Sequence, residues 1–587
     1  MKRSRCAAAV LAVALVAGTA GWLPAAAPPS LPVGHDEAER WAAEQLARLP
    51  LQRKVAQMVW EPVQGAYLAE DDPRLARWTA LARDGIGGFV VYGGTPHDTA
   101  ALLNRLQRDA ALPLLISADF EGGPGQQFEG ATEFPANMAL AAIGSDDLAF
   151  EVGRAGAREG RAIGVHLTYS PVVDGQTRPD NPALGVRSFG GDVSRIGRLA
   201  SAYIKGYQEN GMLATAKHYP GRGDVAQIPA TEFLLNDKPA ERIAAEDLAP
   251  FKAAIDAGVA FVMSEHIQVP ALTNGSDLPA SVNRTLATDW LRGRLGFQGV
   301  LTTDDLWYLR VTRRFGPVRV AVLAVQAGHD AVLKPADAAA TIAGLAAAVR
   351  AGEIPEAQID DSVRRLLYWK ARLGLHRSRL VDTARIPAEV GIRSHRELAA
   401  RIADESLTLL RDGGFLPSTA KKTGRVVHVT IQRRERETAP AEVAARLAAA
   451  LDVKATFHLG PTTDAAVRAT ALEAARDADT VVVSVFSPRR VYFDNGALPA
   501  PDRAFVETLA TIRPKSTIVM SYGNPYAVVD LPGAVSVLTG YGEGGYHGNQ
   551  LIYADSFVRL LKGEIRPRGR LPVALSPALP AGAGVTY

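Results

Sequence analysis

Leu295-Gly-Phe-Gln-Gly-Val-Leu-Thr-Thr-Asp-Asp-Leu-Trp307 is an apolar strand that runs straight into two adjacent carboxylates, Asp304 and Asp305. A carboxylate buried without partners is very costly. The pair therefore belongs at the C-terminal end of a strand, facing a cleft. Working outward, the same pattern recurs along the first two-thirds of the chain. Short apolar runs at 87–92, 113–117, 165–169, 213–216, 260–264, 299–303 and 330–333 read as strands. Amphipathic stretches at 98–108, 148–162, 193–209, 240–257 and 287–295 read as helices between them. Strand-then-helix alternation predicts parallel strands. These units, spread over about three hundred residues, approach a (β/α)₈ barrel, although the eighth strand has no clear place.

Polar residues follow strand after strand. Asp119 and Glu121 follow the second, Asp174 the third, Lys217 and His218 the fourth, Glu265 and His266 the fifth, Asp304 and Asp305 the sixth. Any one of them alone reads as a helix cap or a surface charge. As a set they read as one face, because the strand ends of a barrel converge on the side that carries its active site.

The flanks complete the plan. Spacing predicts helices at 36–48 and 51–60 before the strands, and two closing helices at 337–350 and 355–373. Arg364, Arg365 and Lys370 read as a solvated face of the latter. A connector over 376–395 leads to a second α/β unit with strands at 426–430, 480–485, 517–521 and 535–539. Its helices fall at 396–405, 441–451, 464–475 and 502–512. The expected organisation is an export signal (1–27), a barrel (28–375), a linker (376–395) and an α/β sandwich with an open layered sheet (396–587). With 587 residues, two domains are the natural division.

Lys2-Arg3-Ser4-Arg5, the apolar run Cys6 to Leu23 and Ala25-Ala26-Ala27 have the order of a cleavable secretory signal. The expected location is periplasmic or extracellular. The formal charge is +3, and Lys2, Arg3 and Arg5 account for it, so the remaining chain gives no electrostatic case for nucleic acid or membrane as a partner. Cys6 is the sole cysteine, so a processed chain has neither disulfides nor a thiol nucleophile. No ligand cluster has metal-binding spacing, and no phosphate-loop or dinucleotide fingerprint is present, so no cofactor is expected.

Glycoside hydrolysis ordinarily uses two carboxyl groups, one as nucleophile or base and one as acid. Asp304 suits the first role. Lys217-His-Tyr-Pro-Gly-Arg-Gly-Asp224 sets a cation and an imidazole at a strand end, ready to donate to sugar hydroxyls, and then turns sharply through Gly221 and Gly223. With Asp119-Phe-Glu-Gly-Gly123, Asn181-Pro182, Arg187-Ser-Phe-Gly190 and the Asp304 stretch, this order of motifs resembles glycoside hydrolase family 3. The nearest branch is the bacterial β-N-acetylglucosaminidases. The resemblance covers 50–375. A fainter one, to the family's C-terminal sandwich, covers 395–577 through Gly523-Asn-Pro-Tyr526, Tyr541-Gly-Glu543 and Gly569-Arg-Leu-Pro572. It implies a retaining mechanism with Asp304 as nucleophile, and sugar binding by Asp119, Arg187, Lys217 and His218.

The chain departs from that pattern at three places. The branch takes its acid/base from an Asp-Ser-His triplet shortly after the glycine-rich motif, where this chain has Ile228-Pro229-Ala230. Glu232 is the replacement expected here, with Asp224 as the alternative. The two-domain β-glucosidases use a glutamate from the second domain. The matching region, Phe486-Ser-Pro-Arg-Arg490 and Asp494, has none. The arginine usual in the Asp-x-Glu-Gly-Gly segment gives way to Pro124 and Gln127. The leading expectation is an exo-acting β-N-acetylhexosaminidase acting on an oligosaccharide. A β-glucosidase, or a non-catalytic sugar-binding protein that has lost its acid/base, are the alternatives.

Overall fold

Eight short runs of aliphatic and β-branched residues form parallel strands buried on both faces, which is why they read as continuous apolar runs. They are β1 (Val59–Gln64), β2 (Gly88–Tyr92), β3 (Leu115–Ala118), β4 (Leu167–Thr168), β5 (Thr215–Tyr219), β6 (Phe261–Ser264), β7 (Val300–Thr303) and β8 (Val332–Leu333). The computed structural model describes residues 31–178, 181, 184–223, 225, 231–433, 438–488, 496–531, 533, 535–542 and 551–587. The order β8-β1-β2-β3-β4 makes one arc and β5-β6-β7 a second. Single parallel bridges, Leu167 to Leu213 and Thr302 to Ala331, join the arcs into a closed barrel.

The strand without a place in the sequence is the first. The helical spacing expected over 51–60 holds only for Leu51–Gln57, and the chain then extends into Val59-Trp-Glu-Pro-Val-Gln64, paired on both sides. Asp72, Thr95, Ser145, Asp192 and Asp337 cap the helices that follow, each accepting from a first-turn backbone N–H. The predicted solvated face of helix Glu356–Arg372 needs correction. Lys370 is fully buried, its Nζ donating to Gln57 Oε1 at 2.6 Å, and burial pulls its pKa down to about 7. Arg365 turns in to Asp330 (3.1 Å). Lys370 is closed off from water at the base of the barrel, and Arg365 is half-buried against it.

The second unit is a six-stranded sheet. It contains β9 (Thr408–Arg411), β10 (Arg425–Gln432), β11 (Asp452–Leu459), β12 (Thr480–Phe486), β13 (Thr517–Ser521) and β14 (Ser536–Thr539), in the order β9-β14-β13-β12-β10-β11. Among the described strands of this sheet, β9 runs antiparallel to β14 and the other pairings are parallel. The connector is strapped down: Val381 exchanges two hydrogen bonds with the Asn104 side chain (2.8 and 2.9 Å), and Glu389 pairs with Arg158. Three backbone bonds then tie the second unit to the barrel, Ala136 N–H to Tyr541 O (3.0 Å), Gly191 N–H to Pro572 O (3.1 Å) and Arg570 N–H to Ala142 O (3.0 Å). His395 adds a buried contact to Glu159 at 2.6 Å. Among the described residues no helix is long and apolar enough to cross a membrane.

Candidate active site

Each strand end contributes one or two polar side chains, and burial forces those chains to pair. At the end of β7 the Asp304 N–H donates to Ser264 O (2.8 Å), which fixes the carboxylate at the barrel mouth with 8% of its surface exposed. Its Oδ1 accepts from the Asp305 N–H (2.7 Å) and its Oδ2 from Arg222 Nη2 (3.1 Å). Arg222 is buried in turn and paired with Glu265, which accepts from the His266 N–H at 2.6 Å. Burial alone would raise the Asp304 pKa, but Arg222, His266, the Asp305 N–H and Lys217 outweigh it, so the group sits below the usual carboxylate value. The result is an ionised, nearly buried carboxylate at the barrel mouth.

A second cluster grows from β3 and β5. Lys217 Nζ bridges Asp119 Oδ1 (2.9 Å) and Glu121 Oε1 (2.7 Å). Arg187 grips Glu121 through both Nε and Nη2, each at 2.6 Å. Burial works against the charge on Glu121, yet these two cations hold its carboxyl well below the usual range. Lys217 likewise loses to burial but gains more from Asp119 and Glu121, so its pKa is raised. His218 sits beside them. Its backbone N–H and its Nδ1 both meet Asp174, at 3.2 and 2.8 Å, and Asp174 also accepts from the Arg222 N–H (3.0 Å). Burial pushes Asp174 up to about 6 despite these donors. Asn181 holds the turn by donating to Arg222 O (2.7 Å) and Gly223 O (2.9 Å).

On the other flank of Asp304, burial and the neighbouring Asp304 charge lift Asp305 to about 6, although Lys334 (2.5 Å) and the Trp307 indole N–H (3.0 Å) oppose the shift. His266 donates from Nε2 to Asp305 O (2.9 Å) and meets Ser281 through Nδ1 (2.8 Å). Burial draws its pKa down to about 4, so it is neutral near pH 7. Among the described residues no group of His, Cys, Asp and Glu forms a metal site.

This ring of paired acids and bases at the strand ends of a barrel has clear relatives. Residues 51–368 match the model of the glycosyl hydrolase family 3 N-terminal domain. The chain belongs to glycosyl hydrolase family 3. It is 32% identical over 356 residues to a "Beta-N-acetylglucosaminidase/beta-glucosidase" of Cellulomonas fimi, an alignment covering 59% of this chain and 63% of that one. It is 31% identical over 388 residues to "Beta-hexosaminidase A" of Pseudoalteromonas piscicida, covering 61% and 64%. These alignments therefore span a little under two thirds of each relative. In fold, a solved family 3 β-N-acetylglucosaminidase from Paenibacillus superposes with a TM-score of 0.76 at 31% identity, covering 90% of this chain and 99% of that chain.

Of the residues expected in this family 3 site, Asp304, Asp119, Arg187, Lys217 and His218 all lie at the barrel's strand ends, in the two linked clusters. Glu232 does not join them. It is exposed and lines a groove of about 620 Å³ with Arg310, Arg313 and Arg314. Asp224 lies outside the described residues, as do Ile228-Pro229-Ala230, Arg489, Arg490, Asp494, Glu543 and the export signal. Arg222 is a member that sequence reasoning passes over, and Glu121, Asp174, Glu265 and His266 are placed at strand ends without a role. Arg222 lies within the glycine-rich motif, but its partner is 43 residues further on.

Proposed function

We propose that this protein is a retaining β-glycosidase of family 3 whose preferred substrate carries a terminal β-linked N-acetylhexosamine, and that it works outside the cytoplasm. The observation that carries the reading is Asp304, a nearly buried carboxylate kept ionised by Arg222 at the mouth of the barrel. Asp304 attacks the anomeric carbon and the leaving group departs, giving a covalent glycosyl-enzyme that water then opens. The sugar hydroxyls take hydrogen bonds from Lys217 and His218 and donate to Asp119, while Arg187 and Glu121 fix that wall. The Pseudoalteromonas and Paenibacillus relatives support the N-acetylhexosaminide, while the Cellulomonas relative is named for both sugars. The basic, then apolar N-terminus supports export.

Glu232 stands outside the two clusters in this structure, so our assignment of leaving-group protonation to it, with Asp224 as the alternative, requires it to leave that groove and approach Asp304 when substrate binds. A positioned acid contributes about 10²–10⁴-fold. Glu232→Gln should therefore lose about that factor on a natural disaccharide and far less on a dinitrophenyl glycoside, which needs little protonation. Equal losses on both substrates would remove the assignment.

Trapping with a slow 2-fluoro or related glycosyl donor, followed by peptide mass spectrometry, tests the whole reading. The label is expected on Asp304. Label elsewhere, or faster turnover of a nitrophenyl β-glucoside than of the β-N-acetylglucosaminide, would overturn the nucleophile or the sugar respectively. A protein that binds sugar yet turns over no activated glycoside would be a binding protein instead.

A further inference from the structure

Asp174, in the loop after β4, is where three segments of the site meet, and its side chain is completely buried. Its Oδ1 accepts from the backbone N–H groups of His218 (3.2 Å) and Arg222 (3.0 Å), and its Oδ2 meets His218 Nδ1 (2.8 Å). Its backbone carbonyl accepts from the Ser188 hydroxyl at 2.6 Å, next to Arg187 in the chain. Arg222 carries its guanidinium on to Asp304. The two backbone N–H bonds suffice to anchor the turn after β5. The ring contact is not needed for that, and it acts on the imidazole assigned above to the sugar wall.

The partner of one ring nitrogen fixes the proton on the other. With Asp174 ionised and His218 neutral, Nδ1 donates to Oδ2 and Nε2 is a bare acceptor. With one more proton in the pair, on the carboxyl or on the ring, Nε2 carries a hydrogen and donates. Two groups in such contact titrate as a pair. The surroundings favour retaining the extra proton: burial lifts Asp174 to about 6 although Arg222 and Arg187 both pull it down. The other charges facing this turn are committed elsewhere. Lys217 is held by Asp119 and Glu121, and Asp247, packed on Gly221 and Gly223, is held by Lys238.

We propose that Asp174 is a positioning residue for sugar recognition: the proton it shares with His218 sets whether that imidazole gives or takes a hydrogen bond, and the N-acetylhexosamine is bound in the state that gives. The proposal rests on the glycosidase reading. It adds the proton state in which the sugar is held and the residue that sets it.

Asp174→Asn isolates the effect. Its amide oxygen keeps the two backbone bonds, while its amide nitrogen donates to Nδ1 and leaves the hydrogen on Nε2 at every pH. Calorimetric titration of the full-length parent and variant with N-acetylglucosamine, between about pH 5 and pH 8, reads the difference. The two should bind alike at the acid end. At the alkaline end the parent should bind about tenfold more weakly than the variant, the loss of one hydrogen bond. Asp305 titrates in both proteins, so the ratio of their affinities reports the pair alone. A ratio that stays constant with pH would mean that Asp174 only anchors the turn, and would overturn this proposal while the glycosidase reading stands. A parent that binds no N-acetylglucosamine at any pH overturns both. If the variant does not fold, the parent decides: with nitrogen-15 histidine, the His218 Nε2 resonance, identified by its loss in His218→Gln, should move from the protonated to the unprotonated position over the same range. A resonance that stays in place refutes the switch.

Discussion

At the scale of single residues, the bridge from Asp304 through Arg222 to Glu265 is the most consequential contact in the site. Removing one partner of a buried ion pair leaves a charge uncompensated and typically costs about 3–5 kcal/mol. Glu265→Ala is therefore expected to lower the unfolding free energy by about that amount, read as a lower urea midpoint. It should also slow turnover, because Arg222 is freed to close on Asp304. An unchanged urea midpoint would refute the coupling. Asp304→Ala should lose roughly 10³–10⁶-fold in kcat, with Asp305→Asn losing much less; equal losses would mean that the two roles are exchanged. The raised groups give a pH signature. Asp174 and Asp305 move from about 3.8 unfolded to about 6 folded. Between those values the folded chain holds more protons than the unfolded chain, so their contribution is full below the window and is lost as pH rises through it. Glu121 and Asp304 run the other way, contributing above their unfolded values and losing it as pH falls. Urea midpoints taken across pH 4 to 6 should fall more steeply with rising pH in the parent than in Asp305→Asn. Matching slopes would contradict the shift.

Elements explain what the sequence disclosed and what it hid. Strand ends were legible because a polar residue directly after an apolar run has nowhere else to go, as with Lys217 after Ala216 or Asp304 after Thr303. Site residues whose meaning is local followed from that. The pairing of Arg222 with Glu265 did not, since it exists only once β5 and β6 lie side by side. β1 was hidden because Leu51–Gln57 is a true helix and its apolar period runs on into Val59 and Trp60. β11 escaped for the opposite reason. It is an edge strand whose side chains are mostly exposed or half-buried, so Asp452-Val-Lys-Ala-Thr-Phe-His-Leu459 lacks a clean apolar run. The loop after β4 depends on one glycine. Gly190 has φ 114°, and a Cβ there would lie 2.5 Å from Pro572 O. Gly190→Ala should cost about 1–3 kcal/mol and weaken sugar binding through the displaced Arg187, read by calorimetry and thermal melting. A variant with normal affinity would show that the loop does not need this packing.

Over the whole molecule, the barrel and the six-stranded sheet share backbone hydrogen bonds at Ala136, Ala142 and Gly191, and the Gly191 bond lies on the loop that carries Arg187. A chain ended at residue 375 is thus expected to express poorly and to lack turnover, since these groups and Glu159 lose their partners; full activity of that fragment would separate the two units functionally. The strapped connector has a further consequence. With Val381 locked to Asn104 and Glu389 to Arg158, the segment between the units has no slack for a hinge. A donor dye on the barrel and an acceptor on the second sheet should give one narrow energy-transfer population, at the same efficiency in free and sugar-saturated protein. Ligand recognition in this chain would then be a matter of side chains and loops moving against a fixed frame.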